Sequence, residues 1–389
     1  MSFLARLAGL LGLAAPAPVI PPGAALAATI TVPASLGFVP VAVHFDLFGE
    51  LVRLNRHATA EEVANACNAR IRACSTGDPE IAVRLASDTL YIMSGLGLVE
   101  RVAEDLFAAN AITRHMVDMP SAQHGAVHFT TEGMMAGAFM MKKLQATNFA
   151  YPFSEADGPI QYAYKLMGEE KLSHEHTYSI MEQQGRMDSF NQFMVGKFIK
   201  FGTFPDRVAS LGYNLDKALG EPGSLDQNPV MVDIGGGRGE LLLEVQAAYP
   251  HLQEANLVVQ EFNTEIDAGD VPGVRLMEWN YKESPEQPIR GARIYSLQHI
   301  LHNLPDLNAV ALLQKLSRAM TAESRLLIIE YAKNMTYTSL HASMIALYGG
   351  RERSPAEWRQ LASVSGLEVG FEGYVRAGES LVEMRLKPE

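Results

Sequence analysis

The pattern of apolar positions divides most of the chain into three stretches. Over residues 41–118 they recur at helical spacing in short blocks, "VAVHFDLFGELVRL", "TAEEVANACNARI", "IAVRLASDTLYIMSGLGLVERV" and "DLFAANAITRHM". Thr59 with Glu62 three residues on is a capping-box spacing and predicts a helix start. Three helices and a short two-stranded wing predict a winged-helix module over 41–118, serving packing or dimerisation. Residues 119–225 stay helical but become rich in Met, Phe, Tyr and His, as in "GMMAGAFMMKKLQ", "HEHTYSIMEQQGRM" and "SFNQFMVGKFIKF". A Met and Phe stripe at helical spacing is core first, although a soft apolar cavity would use the same residues. The turn-rich "EPGSLDQNP" at 221–229 reads as a linker. Over 226–389 continuous apolar runs, "VMVDIG", "NLVVQEF", "ARIYSLQ", "RLLIIEY" and "YVRAGESLVEMRLK", alternate with amphipathic helices. That alternation predicts an α/β domain, a doubly wound parallel sheet covered on both faces.

The first 40 residues fit neither pattern. "MSFLARLAGLLGLAAPAPVIPPGAALAA" has the outline of a secretory signal, but its apolar run breaks at Pro16, short of the roughly 20 residues a membrane span needs. An apolar arm packing on a second copy explains residues 1–40 as well and is the preferred reading, so a homodimer with no membrane association is expected.

The chain has 389 residues, long enough for two or three domains, and 48% of them are hydrophobic. Its formal charge of −12 would repel a phosphate backbone, which argues against nucleic acid and for a small, hydrophobic organic partner. The two cysteines, Cys67 and Cys74, share a helix face about 10 Å apart along the axis, too far for a disulfide. With no Cys/His cluster of zinc-site spacing, no metal is expected, and a reducing, cytoplasmic compartment fits.

In "VMVDIGGGRGELLLEV" a strand, a glycine-rich turn and a helix follow in order. Gly235, Gly237 and Gly239 would let backbone approach a ligand, and Asp233 ends the strand at the edge where ligands of such sheets bind. The spacing is G-x-G-x-G, which disfavours a dinucleotide pyrophosphate. Asp233 and Glu240 place negative charge around the turn, which suits a ligand carrying an amino or sulfonium cation. Glu261 ends the next strand and could accept hydrogen bonds from both hydroxyls of a ribose. By themselves these features leave several cofactors open.

From about residue 40 to the C-terminus the chain resembles the S-adenosylmethionine-dependent O-methyltransferases of plant and fungal secondary metabolism. The resemblance rests on "DIGGGRG", "VVQEF", "ILHNLPD", "LLIIEY" and "GGRERSPAEW" in that order, with "MSGLGLVE…FAANAITR" resembling the family's winged-helix dimerisation domain. It implies a Rossmann-like methyltransferase domain and S-adenosylmethionine as cofactor. It also implies His302 as the base that takes a proton from an acceptor hydroxyl, with Glu330 and Glu352 orienting the imidazole. A histidine suits that task near neutral pH. His299 reads as structural.

The expected cofactor set is Asp233, Gly235, Gly237, Glu261, Asn280, Tyr281 and Gln298. Several positions depart from the family pattern: Asn303 stands where Asp is common, Asn280 where an Asp often meets the adenine amine, His341 where an Asp usually opens a helix, and Gln298 where a basic residue is common. Asn280 could still reach adenine through its amide oxygen. His124, His128, Met181, Phe190 and Met194 are candidates for the substrate chamber, with burial and backbone hydrogen bonding the plainer role for the two histidines. The acceptor is expected to be a hydrophobic aromatic or polyketide-type compound. Some fungal proteins of similar sequence are instead pericyclases, which need a shaped apolar cavity and hydrogen-bond donors. The joint presence of His302, Glu330 and Glu352 favours methyl transfer.

Overall fold

The computed structural model describes residues 21–74, 77, 79–196, 202–220, 229–252, 256–262, 271–333 and 336–388. Half of the predicted arm (residues 1–20) and most of the linker lie outside them. The chain divides into two compact units, Met1–Asp118 and Met119–Glu389.

In the first unit, helices Leu47–Leu54, Ala60–Cys74, Val83–Gly95 and Ala111–Asp118 accompany an antiparallel hairpin of β1 (Glu100–Ala103) and β2 (Leu106–Ala108). The capping box forms, with the Thr59 N–H donating to Glu62 Oε2 at 2.8 Å and the Glu62 N–H to Thr59 Oγ1 at 3.2 Å. Leu47, Phe48, Leu51, Leu90, Met93 and Phe107 make its core. Asn68 ties this core to the following loop by bonding both the N–H and the C=O of Ile81. Cys67 is buried, Cys74 exposed, and both are free thiols.

The second unit is built on a seven-stranded sheet. Its strands are β3 (Met231–Ile234), β4 (Leu257–Glu261), β5 (Arg275–Glu278), β6 (Ile294–Gln298), β7 (Arg325–Glu330), β8 (Leu367–Gly373) and β9 (Ser380–Leu386). Their order is β5-β4-β3-β6-β7-β9-β8, with β9 antiparallel to both β7 and β8 and the other pairs parallel. The strands at the middle of the sheet are buried on both faces, which is why their sequences are continuously apolar. One face packs on helices Asp306–Ala319 and Pro355–Val364, the other on Phe204–Ser210 and Glu240–Ala248. This is the doubly wound arrangement expected.

The two edge strands, β5 and β8, were not expected from the pattern. β5 has no buried residue and β8 is buried only at its two ends, so both lack the apolar run that marks an interior strand. The segment "YVRAGESLVEMRLK" is likewise not one element, since β9 begins only at Ser380. Helices over 119–220 belong to the same compact unit as the sheet, and one π-helical turn, Phe129–Gly133, interrupts them.

Candidate active site

The chemistry-bearing residues gather at the carboxyl ends of β3, β4, β6 and β7, beside the switch point where strand order reverses between β3 and β6. After β3 the chain turns through Gly235 at φ +67°, Gly237 at φ +58° and Gly239 at φ +84°, conformations that strain any residue with a Cβ. The three glycines serve different ends. A Cβ on Gly235 would come within 2.5 Å of Ile300 Cδ1, so this glycine seats the turn against the loop after β6. A Cβ on Gly239 would press on Val259 and Val274 at 2.9 and 3.0 Å, so Gly239 closes helix Glu240–Ala248 onto the sheet, correcting the ligand-facing role expected for it. Gly237 is open on that side, its nearest neighbour being Glu240 Oε2 at 3.8 Å, and is the glycine that leaves room for a ligand.

Asp233 is 1% exposed and takes the Ser296 hydroxyl at 2.6 Å, with its other oxygen beneath Gly236. It holds the turn from below. Glu261 accepts the Gly237 N–H at 3.1 Å and the Phe262 N–H at 2.9 Å, leaving lone pairs on both oxygens for further donors. Burial raises its pKa, and the two backbone N–H groups oppose that shift. Asn280 Oδ1 already accepts the N–H groups of Lys282 at 3.0 Å and Glu283 at 3.4 Å. The group left to meet an adenine is its amide N–H donor, not the oxygen expected from sequence. Gln298 donates to Glu379 Oε1 at 3.0 Å, so its amide is oriented by that carboxylate. Tyr281 lies beside Tyr178, Glu155 and Glu261, deep in the fold yet retaining accessible surface. The cradle therefore combines an open glycine, a strand-end carboxylate and a donor amide, which fits a nucleoside.

His302 sits on a one-turn 3-10 helix, Leu301–Asn303, directly after β6. Its Nδ1 lies 2.9 Å from Glu352 Oε1 and 3.4 Å from Glu330 Oε2, and its backbone N–H donates to Glu330 Oε1 at 3.2 Å. All three groups are buried. Burial pushes the Glu330 carboxyl well above the usual carboxylate range; His302 opposes this and the charge of Glu352 adds to it. With carboxylates facing Nδ1, the ring proton belongs there, and Nε2 on the opposite edge carries the lone pair a base needs.

The backbone explains how Glu352 reaches the ring. Gly349, at φ +67°, ends helix Thr338–Tyr348, and a Cβ on Gly350 would lie 2.1 Å from the His302 carbonyl oxygen. Only glycine permits that approach. The Glu352 N–H donates to His341 Nδ1 at 3.1 Å, which gives the unexpected histidine a positioning role. Arg353, 1% exposed, donates to the carbonyls of Leu301 at 2.6 Å and Leu304 at 2.9 Å and to Asp306 Oδ1 at 2.8 Å, clamping the base loop. Nothing in the sequence pattern marked Arg353, although it stands inside "GGRERSPAEW".

His299, read from sequence as structural, is anchored by buried carboxylates. It holds φ +55°, with Nε2 at 2.6 Å from Glu379 Oε1 and Nδ1 at 3.8 Å from Glu330 Oε2. Ligand atoms of His299, His302 and Glu330 lie within 4.8 Å of one another, a grouping that could hold a metal ion.

Of the chamber candidates, Phe190 and Met194 are half-buried, while Met181 is 1% exposed and packs in the core. His124 Nδ1 meets the Ser189 hydroxyl at 2.9 Å, and buried His128 meets Glu132 at 3.3 Å. Both are satisfied by side chains, not by the backbone carbonyls expected. Burial alone would raise the Glu132 pKa, but hydrogen bonds from His128, Thr131 and Arg186 hold it at about 2. His128 shares an aromatic cluster with Phe129, Phe190 and Phe193. Tyr178, which no motif flagged, joins Phe190, His176 and Tyr348 in that wall.

An O-methyltransferase domain is matched over residues 213–368. O-methyltransferase bfoE of Aspergillus brasiliensis is 53% identical over 371 residues, covering 95% of this chain and 97% of its own. O-methyltransferase aunE of Aspergillus niger is 50% identical over 385 residues, with the same coverage of 95% and 97%. This chain belongs to the O-methyltransferase family. Among solved structures, the LepI complex with SAM superposes with a TM-score of 0.78 at 20% identity, over 99% of this chain and 92% of LepI. OxaC in complex with sinefungin and meleagrin gives a TM-score of 0.76 at 18% identity, over 95% and 89%. The O-methyltransferase thus shares its fold with both.

Proposed function

We propose that the enzyme transfers a methyl group from S-adenosylmethionine to a hydroxyl of a hydrophobic aromatic or polyketide-type acceptor. The observation that carries this reading is the ring of His302, held at Nδ1 by Glu352 at 2.9 Å with Glu330 behind it at 3.4 Å. Gly237, Glu261, Asn280 and Tyr281 would hold S-adenosylmethionine, which when bound supplies a methyl group made electrophilic by its sulfonium charge. His302 Nε2 takes the hydroxyl proton, and the two carboxylates stabilise the imidazolium that results. The half-buried Phe190 and Met194 and the aromatic wall around Tyr178 exclude water and seat an apolar ring. A 34% identical relative over 170 residues, demethylsterigmatocystin 6-O-methyltransferase stcP of Emericella nidulans, methylates by its name an oxygen of demethylsterigmatocystin.

We also assign the first unit to dimerisation. Its helices Pro22–Ile30 and Val32–Leu36 bury no residue, and Leu26 and Ile30 are 60% and 63% exposed, apolar surface that a second copy would cover. Two free thiols support a reducing, cytoplasmic setting. Among the described residues, no helix is long and apolar enough to cross a membrane.

The test is mass spectrometry of candidate acceptors incubated with enzyme and methyl-labelled cofactor. Label moves to acceptor oxygen in the wild type, and His302→Ala slows that transfer by about 10²–10⁴-fold. Rearranged product formed without label would replace this reading with pericyclic catalysis on the same fold.

A further inference from the structure

One buried oxygen of the base cluster has no donor. Glu330 Oε1 takes the His302 N–H, but Oε2, enclosed by protein, makes no hydrogen bond among the described residues. A buried acceptor left without a donor is costly and calls for an occupant. Two ring nitrogens face it, His302 Nδ1 at 3.4 Å and His299 Nδ1 at 3.8 Å. Ligand atoms of the three residues all lie within 4.8 Å of one another. A tetrahedral ion with bonds of about 2.0–2.1 Å holds its ligands roughly 3.4 Å apart, so closing on one needs side-chain shifts of under about an ångström.

The outer partners are those of a metal-bound histidine. His299 Nε2 lies 2.6 Å from Glu379 Oε1, a carboxylate–histidine pair that fixes which ring nitrogen carries the lone pair. With the proton on Nε2, that lone pair is on Nδ1, on the side of Glu330. Arg207 Nε, 2.8 Å from the other oxygen of Glu379, anchors the pair in turn. His299 itself is held at φ +55°, in the left-handed region that a Cβ disfavours, and such strain collects where a side chain has to be aimed. Glu352, with Oε1 at 2.9 Å from His302 Nδ1 and an Oε2 that also lacks a hydrogen bond, is at hand for a fourth position.

We infer that His299, His302 and Glu330 form an inhibitory site for a divalent cation of the zinc type, which takes the base out of action when it binds. Two imidazoles and a carboxylate suit zinc, whereas magnesium and calcium take oxygen ligands in larger number. A neutral imidazole has one ring proton. Once ligated through Nδ1, His302 carries that proton on Nε2, and the lone pair that would accept from an acceptor hydroxyl is gone. The inhibition rests on the methyl-transfer reading above; the binding does not.

The experiment adds zinc, and cobalt as its spectroscopic substitute, to chelator-treated wild type, His299→Asn and Glu330→Gln. Asparagine tolerates the left-handed backbone, glutamine keeps the shape of Glu330, and melting curves show that at least one variant is folded. Wild type is expected to develop the intense visible absorption of four-coordinate cobalt and to lose methyl transfer to zinc but not to magnesium, while S-adenosylhomocysteine still binds by calorimetry. Cobalt binding weakens roughly tenfold or more in each folded variant, no less than the loss of an outer partner costs. Absorption of equal strength in the variants, or none in wild type, would overturn the site. Binding that depends on His299 and Glu330 yet leaves turnover intact would keep the site and overturn His302 as the base of the methyl-transfer reading.

Discussion

Replacing Glu352 by Gln tests the base directly, because shape is kept while charge is lost. The pair it breaks is 2.9 Å long, and Glu352 has no exposed surface, so the bond is a charge-assisted one in a desolvated site. Such a bond is worth about 1.5–3 kcal/mol, which by itself slows turnover roughly 10- to 150-fold. A glutamine can also turn its NH2 toward Nδ1, which would move the ring proton to Nε2 and remove the lone pair that accepts from the substrate. The loss is then bounded by the whole contribution of general-base catalysis, about 10²–10⁴-fold. Glu352→Gln is therefore expected to lower kcat roughly a hundred- to a thousandfold, measured as release of demethylated cofactor at saturating cofactor and acceptor. If Glu352 acts through His302, the same substitution in a His302→Ala background costs little more. Losses that multiply in the double variant would refute the reasoning, since they would mean that Glu352 acts on something other than the ring.

Other outcomes follow from the same cluster. Gly350→Ala pushes a Cβ to 2.1 Å from the His302 carbonyl, a backbone atom that cannot step aside, so it should lower both melting temperature and kcat, by about 1–3 kcal/mol of stability; a variant with wild-type melting and turnover would contradict it. Burial raises the Glu330 pKa, so the folded protein holds that proton more tightly than the unfolded chain does. The associated stability is present at acid pH and lost as pH climbs through the folded-state value. Glu330→Gln should accordingly melt close to wild type near pH ~5 and above it near pH ~8, whereas a gap that does not change with pH would exclude the shift. Incubation with EDTA should leave turnover unchanged, because proton transfer to His302 needs no Lewis acid; loss restored by zinc would put an ion among His299, His302 and Glu330.

The parts of the fold that read clearly from sequence are those in which burial leaves one solution. Strands covered on both faces are apolar throughout, and β3, β4, β6 and β7 were visible for that reason. Edge strands β5 and β8, half in solvent, look like any polar loop. The same contrast divides the site. His302, Glu330 and Glu352 lie in short ordered motifs, and the structure brings them together. Tyr178 and Arg353 matter through partners 125 and 52 residues away, and no local pattern carries that information. The roles of individual atoms were least legible: Asn280 was expected to offer its oxygen, but a turn N–H pair has taken it. Gly239 and Asp233 show that members of a ligand-binding motif also do packing work, Gly239 against Val259 and Val274 and Asp233 on Ser296.

Arg353 reaches the loop at both of its ends, through Leu301 on one side of His302 and through Leu304 and Asp306 on the other. A base pinned on either flank cannot follow a badly placed hydroxyl. Whatever enters the chamber must bring its oxygen to the imidazole, so relatives that accept different molecules are free to vary in the aromatic helices facing the loop while the loop itself stays fixed.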